Sequence, residues 1–358
     1  MHFRILATLI LFLGSALVEC IKVNPGGAGN VVITATNTLN ATNINNREAT
    51  PSSYMQLEVI NNFDSDNVNV YVTGLDTSGL VVLLQPDGSW NYPSTNSSTP
   101  VEITGDVALP LGPRNSTTWI QLPGYISSAR IWFADGNLQF YTVAGEYGSS
   151  LVEPSAVNPN DPSANINWGF VELSYGSGII FVNISYVDFV GLPLGITLEG
   201  GHGNQTALGL DARAVANICE SLANQATVDG YPWYDLCMTD SNGTLIRVLS
   251  PTDYMSGQNT QFDDYWTDYV DRVWSHYQTT NLTMVTATDY GNVSCTVLSN
   301  DTLVCANDTR GYEKPNAIDI FGCNQGPFSL VATDNVVHQR IVPILCAAFQ
   351  RSTLLLEV

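Results

Sequence analysis

The stretch from Trp168 to Pro193 constrains this chain more than any other. Trp-Gly-Phe-Val-Glu-Leu-Ser-Tyr runs into Gly176-Ser177-Gly178, and Ile-Ile-Phe-Val-Asn-Ile-Ser-Tyr-Val-Asp-Phe-Val-Gly-Leu-Pro follows. Two apolar, β-branched and aromatic runs on either side of a short glycine break form a β-hairpin signal. Each run carries one acidic residue, Glu172 and Asp188, where a strand normally holds an apolar or neutral side chain. A carboxylate in an aromatic-rich strand costs desolvation energy unless something pairs with it or uses it. The two are therefore candidates for paired acid–base chemistry.

Register decides whether they can cooperate. With Gly176–Gly178 as a three-residue loop, Glu172 pairs with Val182, and Asp188 would stand opposite Ile166. The carboxylates then share a face six residues apart, roughly 20 Å along a flat strand. A strong bend, a bulge or another pairing is needed to bring them together. In the same register Asn183 points to the face opposite Asp188.

The flanking sequence places the hairpin in a β-rich half. Met55–Ile60 alternates like a strand, and Asn69–Thr73, Leu80–Leu84, Trp119–Leu122, Ala129–Phe133 and Gln139–Val143 continue the series. Short strands separated by Gly, Pro, Asn and Asp predict an all-β sandwich or barrel over 53–198. Glu153 to Asn167 is a long irregular segment leading into Trp168, and loops of that length are often functional. After Leu198 the pattern changes. Helices are expected over Asp211–Ala223 and Phe262–Tyr277, with a shorter one from Pro343 to Thr353 that has Pro343 in its first turn. Asn292 to Ala306 reads as a hairpin turning at Asn300. Residues 199–358 thus predict a mixed α/β domain, whose last segments can return to the β half. A groove between two such halves is a common ligand site.

Charge and targeting signals narrow the partners. Twelve Lys and Arg face thirty-three Asp and Glu, a net charge of −21. Nucleic acid and anionic membrane both require a basic face, so neither is an expected partner. A neutral polymer carries no such penalty. Residues 1–20 have a basic start, a short apolar run and small residues, as a secretory signal does, and 21–52 reads as a flexible leader rich in Asn, Thr, Ala and Gly. Removing the signal also removes Cys20. It leaves Cys219, Cys237, Cys295, Cys305, Cys323 and Cys346, an even set that predicts three disulfides in a secreted chain. Cys295 and Cys305 lie symmetrically about Asn300, which predicts a cross-strand bridge. Cys219–Cys237 and Cys323–Cys346 are the remaining pairings by proximity. Ten Asn-x-Ser/Thr sequons, from Asn40 to Asn307, point to a glycoprotein. His202, His276 and His338 show no metal spacing, and no nucleophile elbow or phosphate-cradling loop is present. No metal or cofactor is expected. Trp90, Tyr92, Trp168, Tyr175 and Tyr186 are candidate platforms for sugar rings, although each aromatic taken singly fits a core better than a platform.

Read in order, the residues resemble glycoside hydrolase family 64, the thaumatin-like β-1,3-glucanases. The resemblance rests on Leu151-Val152-Glu153-Pro154, Asn167 to Glu172, Tyr186 to Pro193, Arg247 to Pro251 and Cys323 to Phe328. It covers roughly Tyr54 to the C-terminus. It implies a thaumatin-like β-barrel or sandwich domain joined to a mixed α/β domain around a wide groove. It also implies endo-acting, inverting hydrolysis of β-1,3-glucan by a monomer outside the cell or in a cell wall. The family's catalytic Glu and Asp are sixteen positions apart, which Glu172 and Asp188 match. The family order makes Glu172 the acid and Asp188 the base. Inversion requires carboxyls about 6.5–9.5 Å apart, with room for a water between them. Trp168, Ser174, Tyr175, Phe181, Ser185, Tyr186 and Arg247 are the candidate substrate contacts. Ser174 and Gly176 stand where the family often has Thr and Asn. The alternative, from another class, is a non-catalytic thaumatin-like protein that binds cell-wall glucan. A hydrolase of another neutral glucan is a third reading.

Overall fold

The structure is a computed structural model that describes residues 18–25, 54–146, 148–200, 203–286 and 290–356. The chain is mainly β. It divides into two compact units: one runs to Asn224 and takes in Tyr234–Leu249, and the other comprises Gln225–Trp233 and the chain from Ser250 onward. The sequence boundary after Leu198 differs from this division. Periodicity marks where helices begin, whereas the units follow packing, and Leu245–Leu249 hydrogen-bonds to the Phe189–Val190 strand.

The strands that position the site are, in chain order, β1 (Val18–Pro25), β2 (Met55–Ile60), β3 (Val68–Leu75), β4 (Val81–Leu84), β5 (Thr117–Leu122), β6 (Ile126–Asp135), β7 (Asn167–Gly176), β8 (Ile179–Ile184) and β9 (Leu194–Gly200). A seven-stranded sheet has the order β8-β7-β6-β3-β4, continues to Trp90–Asn91, and carries Leu109–Pro110 beside β3. A five-stranded sheet has the order Gln205–Ala207, β9, β1, β2, β5. Both sheets keep free edges, so the barrel half of the expectation is corrected: among the described residues no closed barrel forms, and the sandwich half stands.

The two sheets share one hydrophobic core. Val70, Val72, Ile131, Val171, Leu173 and Val182 from the larger sheet pack with Leu57, Val59, Ile120, Leu194 and Ile196 from the smaller. The alternation of β2, apolar at every second position, follows from this one-sided burial. The larger sheet is buried on its other face as well. Tyr71, Trp132, Trp168 and Phe170 form a second core there, covered by Leu138, Phe140, Phe189 and Leu249. That explains the nearly continuous burial of β3 and of the Ile131–Ala134 stretch of β6.

The leader reading needs a correction at its start. β1 pairs parallel with β2 and antiparallel with β9, and Ile21 is fully buried. Its first three residues fall within the segment read as a signal. The low periodicity of 21–52 taken as a block hid a strand confined to one end. The remainder of 1–52 lies outside the described residues.

The second unit has its own core. A three-stranded antiparallel sheet, Leu282–Val285, Asn292–Val297 and Leu303–Cys305, packs with the helices Thr267–Tyr277 and Val336–Gln350 through Val273, Trp274, Val293, Ile341 and Phe349. The hairpin about Asn300 is as expected. The helix expected from Phe262 begins at Thr267, because Phe262 to Trp266 form turns. Pro343 lies inside the last helix and not at its start. Asn335 caps that helix eight residues earlier by accepting from the His338 N–H. The helix expected over Asp211–Ala223 spans Ala214–Asp229. All three expected disulfides form, with Cα atoms 5.9, 4.0 and 5.9 Å apart for Cys219–Cys237, Cys295–Cys305 and Cys323–Cys346.

Cys219–Cys237 closes an 18-residue separation. Loop-closure entropy for a bridge of that size is worth about 3 kcal/mol. Replacing both cysteines by serine should lower stability by about that amount, measured by denaturant unfolding with the other two bridges intact.

Candidate active site

The observed β7–β8 register differs by one residue from the hairpin arithmetic. Gly176 pairs with Ile179, so the turn holds two residues, Ser177 and Gly178. Gly178 takes φ of 73°, a left-handed conformation open to glycine. A one-residue shift exchanges the faces of every side chain. Glu172 is therefore paired with Asn183 and not Val182, and Asn183 shares its face. Its Nδ2 donates to Glu172 Oε2 at 3.0 Å.

Following register across the sheet gives a continuous polar row. Thr73 on β3 pairs with Arg130 on β6, Arg130 pairs with Glu172 on β7, and Glu172 pairs with Asn183 on β8. The next row inward is Tyr71, Trp132 and Phe170. Thr73 closes the boundary by accepting from Trp132 Nε1 at 3.0 Å. Arg130 lays its guanidinium 4.5 Å from the Phe170 ring centre and 5.5 Å from that of Trp132. Its Nη1 contacts Glu153 Oε2, and its Nη2 stands 4.0 Å from Glu172 Oε1. The Arg130, Glu172 and Glu153 side chains are 21, 20 and 31 % exposed, so this charged group is half-sunk at the end of the aromatic face.

Asp188 lies beyond a break in the strand. β8 ends at Ile184, but Ser185 N still donates to Phe170 O at 3.2 Å, and Leu192 N donates to Trp168 O at 3.2 Å. The residues between them loop out over two residues of β7 and return, so Asp188 lies on a short excursion and not opposite Ile166. Phe189 anchors the excursion, with its ring 4.5 Å from Trp168 and 6.1 Å from Phe170. Val190 and Phe189 also pair with Val248 and Leu249. Two glycines permit the close return. A Cβ on Gly191 would run into the Trp168 carbonyl oxygen, and one on Gly169 would lie 2.6 Å from Leu192 O. The excursion takes Asp188 off the flat-strand path that the hairpin arithmetic assumed.

The substrate-contact candidates divide sharply. Trp168 is 2 % exposed and packs between Trp132 and Phe189, so it is core and not a platform. Tyr175 is 9 % exposed and points into the sandwich core beside Tyr125. Ser185 is buried. The Tyr186 hydroxyl is held at the backbone of Leu194, accepting from its N–H at 3.0 Å. Arg247 is buried and donates to the carbonyl oxygens of Ala156, Ala164 and Ile166 at 3.3, 3.0 and 2.5 Å. It clamps the 153–166 segment and does not face solvent. Burial pushes its pKa down to about 10, opposed by the charge of Asp161. Ser174 and Phe181 pair with each other, half-buried, on the face of Glu172. Among the other aromatics, Trp90 is half-buried, and Tyr92 is exposed with its hydroxyl directed at Asp76.

Arg130, Glu153 and the role of Asn183 were missed from sequence. Arg130 was open to the argument applied to Glu172, since it is the one charge inside Ala129-Arg130-Ile131-Trp132-Phe133.

The sequence profile of the family described as Beta-1,3-glucanase matches residues 53–358. Curated relatives include glucan endo-1,3-beta-glucosidases of Cellulosimicrobium cellulans and of Arthrobacter sp. (strain YCWD3). Each is 23 % identical over 236 residues, which is 64 % of this chain and 40 % of the relative. The chain thus spans about two-fifths of the length of these relatives. Among solved structures, a laminaripentaose-producing beta-1,3-glucanase in complex with laminaritetraose superposes with a TM-score of 0.72 at 24 % identity, covering 85 % of this chain and 82 % of its own. A beta-1,3-glucanase domain from Clostridium beijerinckii gives 0.63 at 21 % identity, covering 86 and 84 %. The likeness is one of fold.

Two substitutions test the architecture. Gly191→Ala should displace the Asp188 excursion, because the added methyl meets backbone and not a movable side chain; lost amide protection at Leu192 by hydrogen exchange would show it. Arg247→Met should destabilise by roughly 2–4 kcal/mol, since it strips three carbonyl oxygens of their donor. Limited proteolysis within 153–166 would report the released segment.

Proposed function

The chain belongs to glycoside hydrolase family 64, and from that membership we propose that it is a secreted, endo-acting hydrolase of β-1,3-glucan that inverts the anomeric carbon. Glu172 acts as the acid and Asp188 as the base. The observation that carries the assignment is the placement of Glu172 where the aromatic face ends, fixed from both flanking strands, with the Asp188 segment folded back onto residues 168–170.

In this reading Glu172 protonates the glycosidic oxygen as its bond to the anomeric carbon breaks. Asp188 removes a proton from the water that attacks that carbon from the opposite face. The β linkage then yields an α reducing end. The geometry such a pair needs is a separation of about 6.5–9.5 Å with the water between. Ser174 and Phe181, beside Glu172, are the candidates for sugar contact. Thaumatin-like architecture, action as a monomer, and a place outside the cell or in its wall belong to the same reading. Three disulfides favour an oxidising compartment, and a net charge of −21 suits an uncharged polymer.

Glu172→Gln and Asp188→Asn should each lower laminarin hydrolysis by roughly 10²–10⁴-fold, the usual contribution of a positioned acid or base. Thermal unfolding should stay close to that of the parent. Reducing-end NMR of fresh product should show the α anomer first. Full activity in either variant overturns the residue assignment, and an initial β anomer overturns inversion.

A further inference from the structure

We infer that Glu153 is a positioning residue for the proposed acid, holding the Arg130 guanidinium away from full contact with Glu172. The inference rests on the reading of Glu172 as proton donor. Arg130 has two carboxylate neighbours, and it engages them unequally: Nη1 is in direct contact with Glu153, while Nη2 reaches Glu172 only at 4.0 Å. Its stem cannot swing freely, because the guanidinium lies over Phe170 with Trp132 beside it. Glu172 is meanwhile held by Asn183 on its other oxygen.

The chemistry of a donor gives this inequality a purpose. Arginine favours bidentate pairing with a carboxylate, and a full pair favours the ionised form. A proton donor needs the opposite. Glu153 competes for the same guanidinium and leaves Glu172 oriented but incompletely neutralised. The groups facing Glu172 from the adjoining strands are Arg130, Asn183 and, one strand further, Thr73; Glu153 adds the second carboxylate through its contact with Arg130. Glu153 is held in place by its own context. It precedes Pro154 at the start of the segment that Arg247 fixes through Ala156, Ala164 and Ile166. A loop clamped by one arginine thereby presents the carboxylate that restrains another.

The test uses the full chain with laminarin as substrate, reading kcat, KM and the pH–rate profile. In Glu153→Gln the freed guanidinium closes on Glu172. The basic limb of the profile should move about one pH unit toward acid, and kcat above that limb should fall about tenfold, with KM unchanged. Adding Arg130→Gln to Glu153→Gln removes the cation and should return the limb toward its original place, which a merely structural role would not do. An unmoved limb in Glu153→Gln, or a double variant that matches the single one, overturns the proposal. If Glu153→Gln does not fold, Glu153→Asp, which draws the carboxylate back by one methylene and loosens its hold on Arg130, carries the test: the limb should again move toward acid, and an unmoved limb again overturns it. Glu172→Gln separates the two levels. If it stays active, the acid assignment falls and this inference with it. If it is inactive while the Glu153→Gln limb is unmoved, only the positioning role falls.

Discussion

Burial of the larger sheet on both faces is the constraint on which the rest of the β unit depends. A sheet covered on two sides has almost nowhere to place a charge. Phe170, one row inward from Glu172, is 3 % exposed, and an ion there would lose several kcal/mol of hydration with little to replace it. One row outward, burial falls to about a fifth exposed, and there the sheet carries its charges, each with a partner on the adjacent strand. The row Thr73–Arg130–Glu172–Asn183 is thus a boundary condition of the fold before it is a site. The aromatic core lies directly beneath the row, and the Arg130 guanidinium rests on its Phe170 and Trp132 rings.

The strands and the sandwich were legible in the sequence because alternation and turn residues report one-sided burial directly. The hairpin register was legible in principle and was misread. Gly176-Ser177-Gly178 is compatible with a two- or a three-residue connection, so the turn does not decide. The facing side chains do. In the observed register Leu173 opposes Val182 and Tyr175 opposes Ile180, all in the sandwich core, while Glu172 opposes Asn183. The three-residue loop would have set a carboxylate opposite a core valine. Matching like with like across the strands would have chosen correctly and would have placed Asn183 beside Glu172.

Side-chain roles were less legible, for a different reason. Trp168, Tyr175 and Arg247 have the chemistry of sugar contacts, but the same groups serve equally in a core, and sequence carries no label for which face is covered. Arg247 shows the limit well. Its three acceptors are backbone carbonyls more than eighty residues earlier in the chain, and a carbonyl is present at every position. Nothing in residue type marks those three. Arg130 is the opposite case: it was missed, yet it is the one charge in an apolar strand, a signal that residue type does carry.

The same distinction explains why the disulfides were paired correctly while the path of Asp188 was not drawn. The three bridges close separations of 18, 10 and 23 residues, so proximity in sequence already selects the partner. Two of them lie in the unit whose sheet has three short strands, where a small core gains most from a restricted unfolded state. The Asp188 excursion depends instead on two glycines that let the returning chain touch β7 at Trp168 and Gly169. A glycine in a strand signals close approach without saying to what. Once the approach is known, the spacing of sixteen residues between Glu172 and Asp188 ceases to be a distance along a strand. It becomes the length of chain needed to turn at Ser177-Gly178, run back past Glu172 and leave the sheet beside Phe170.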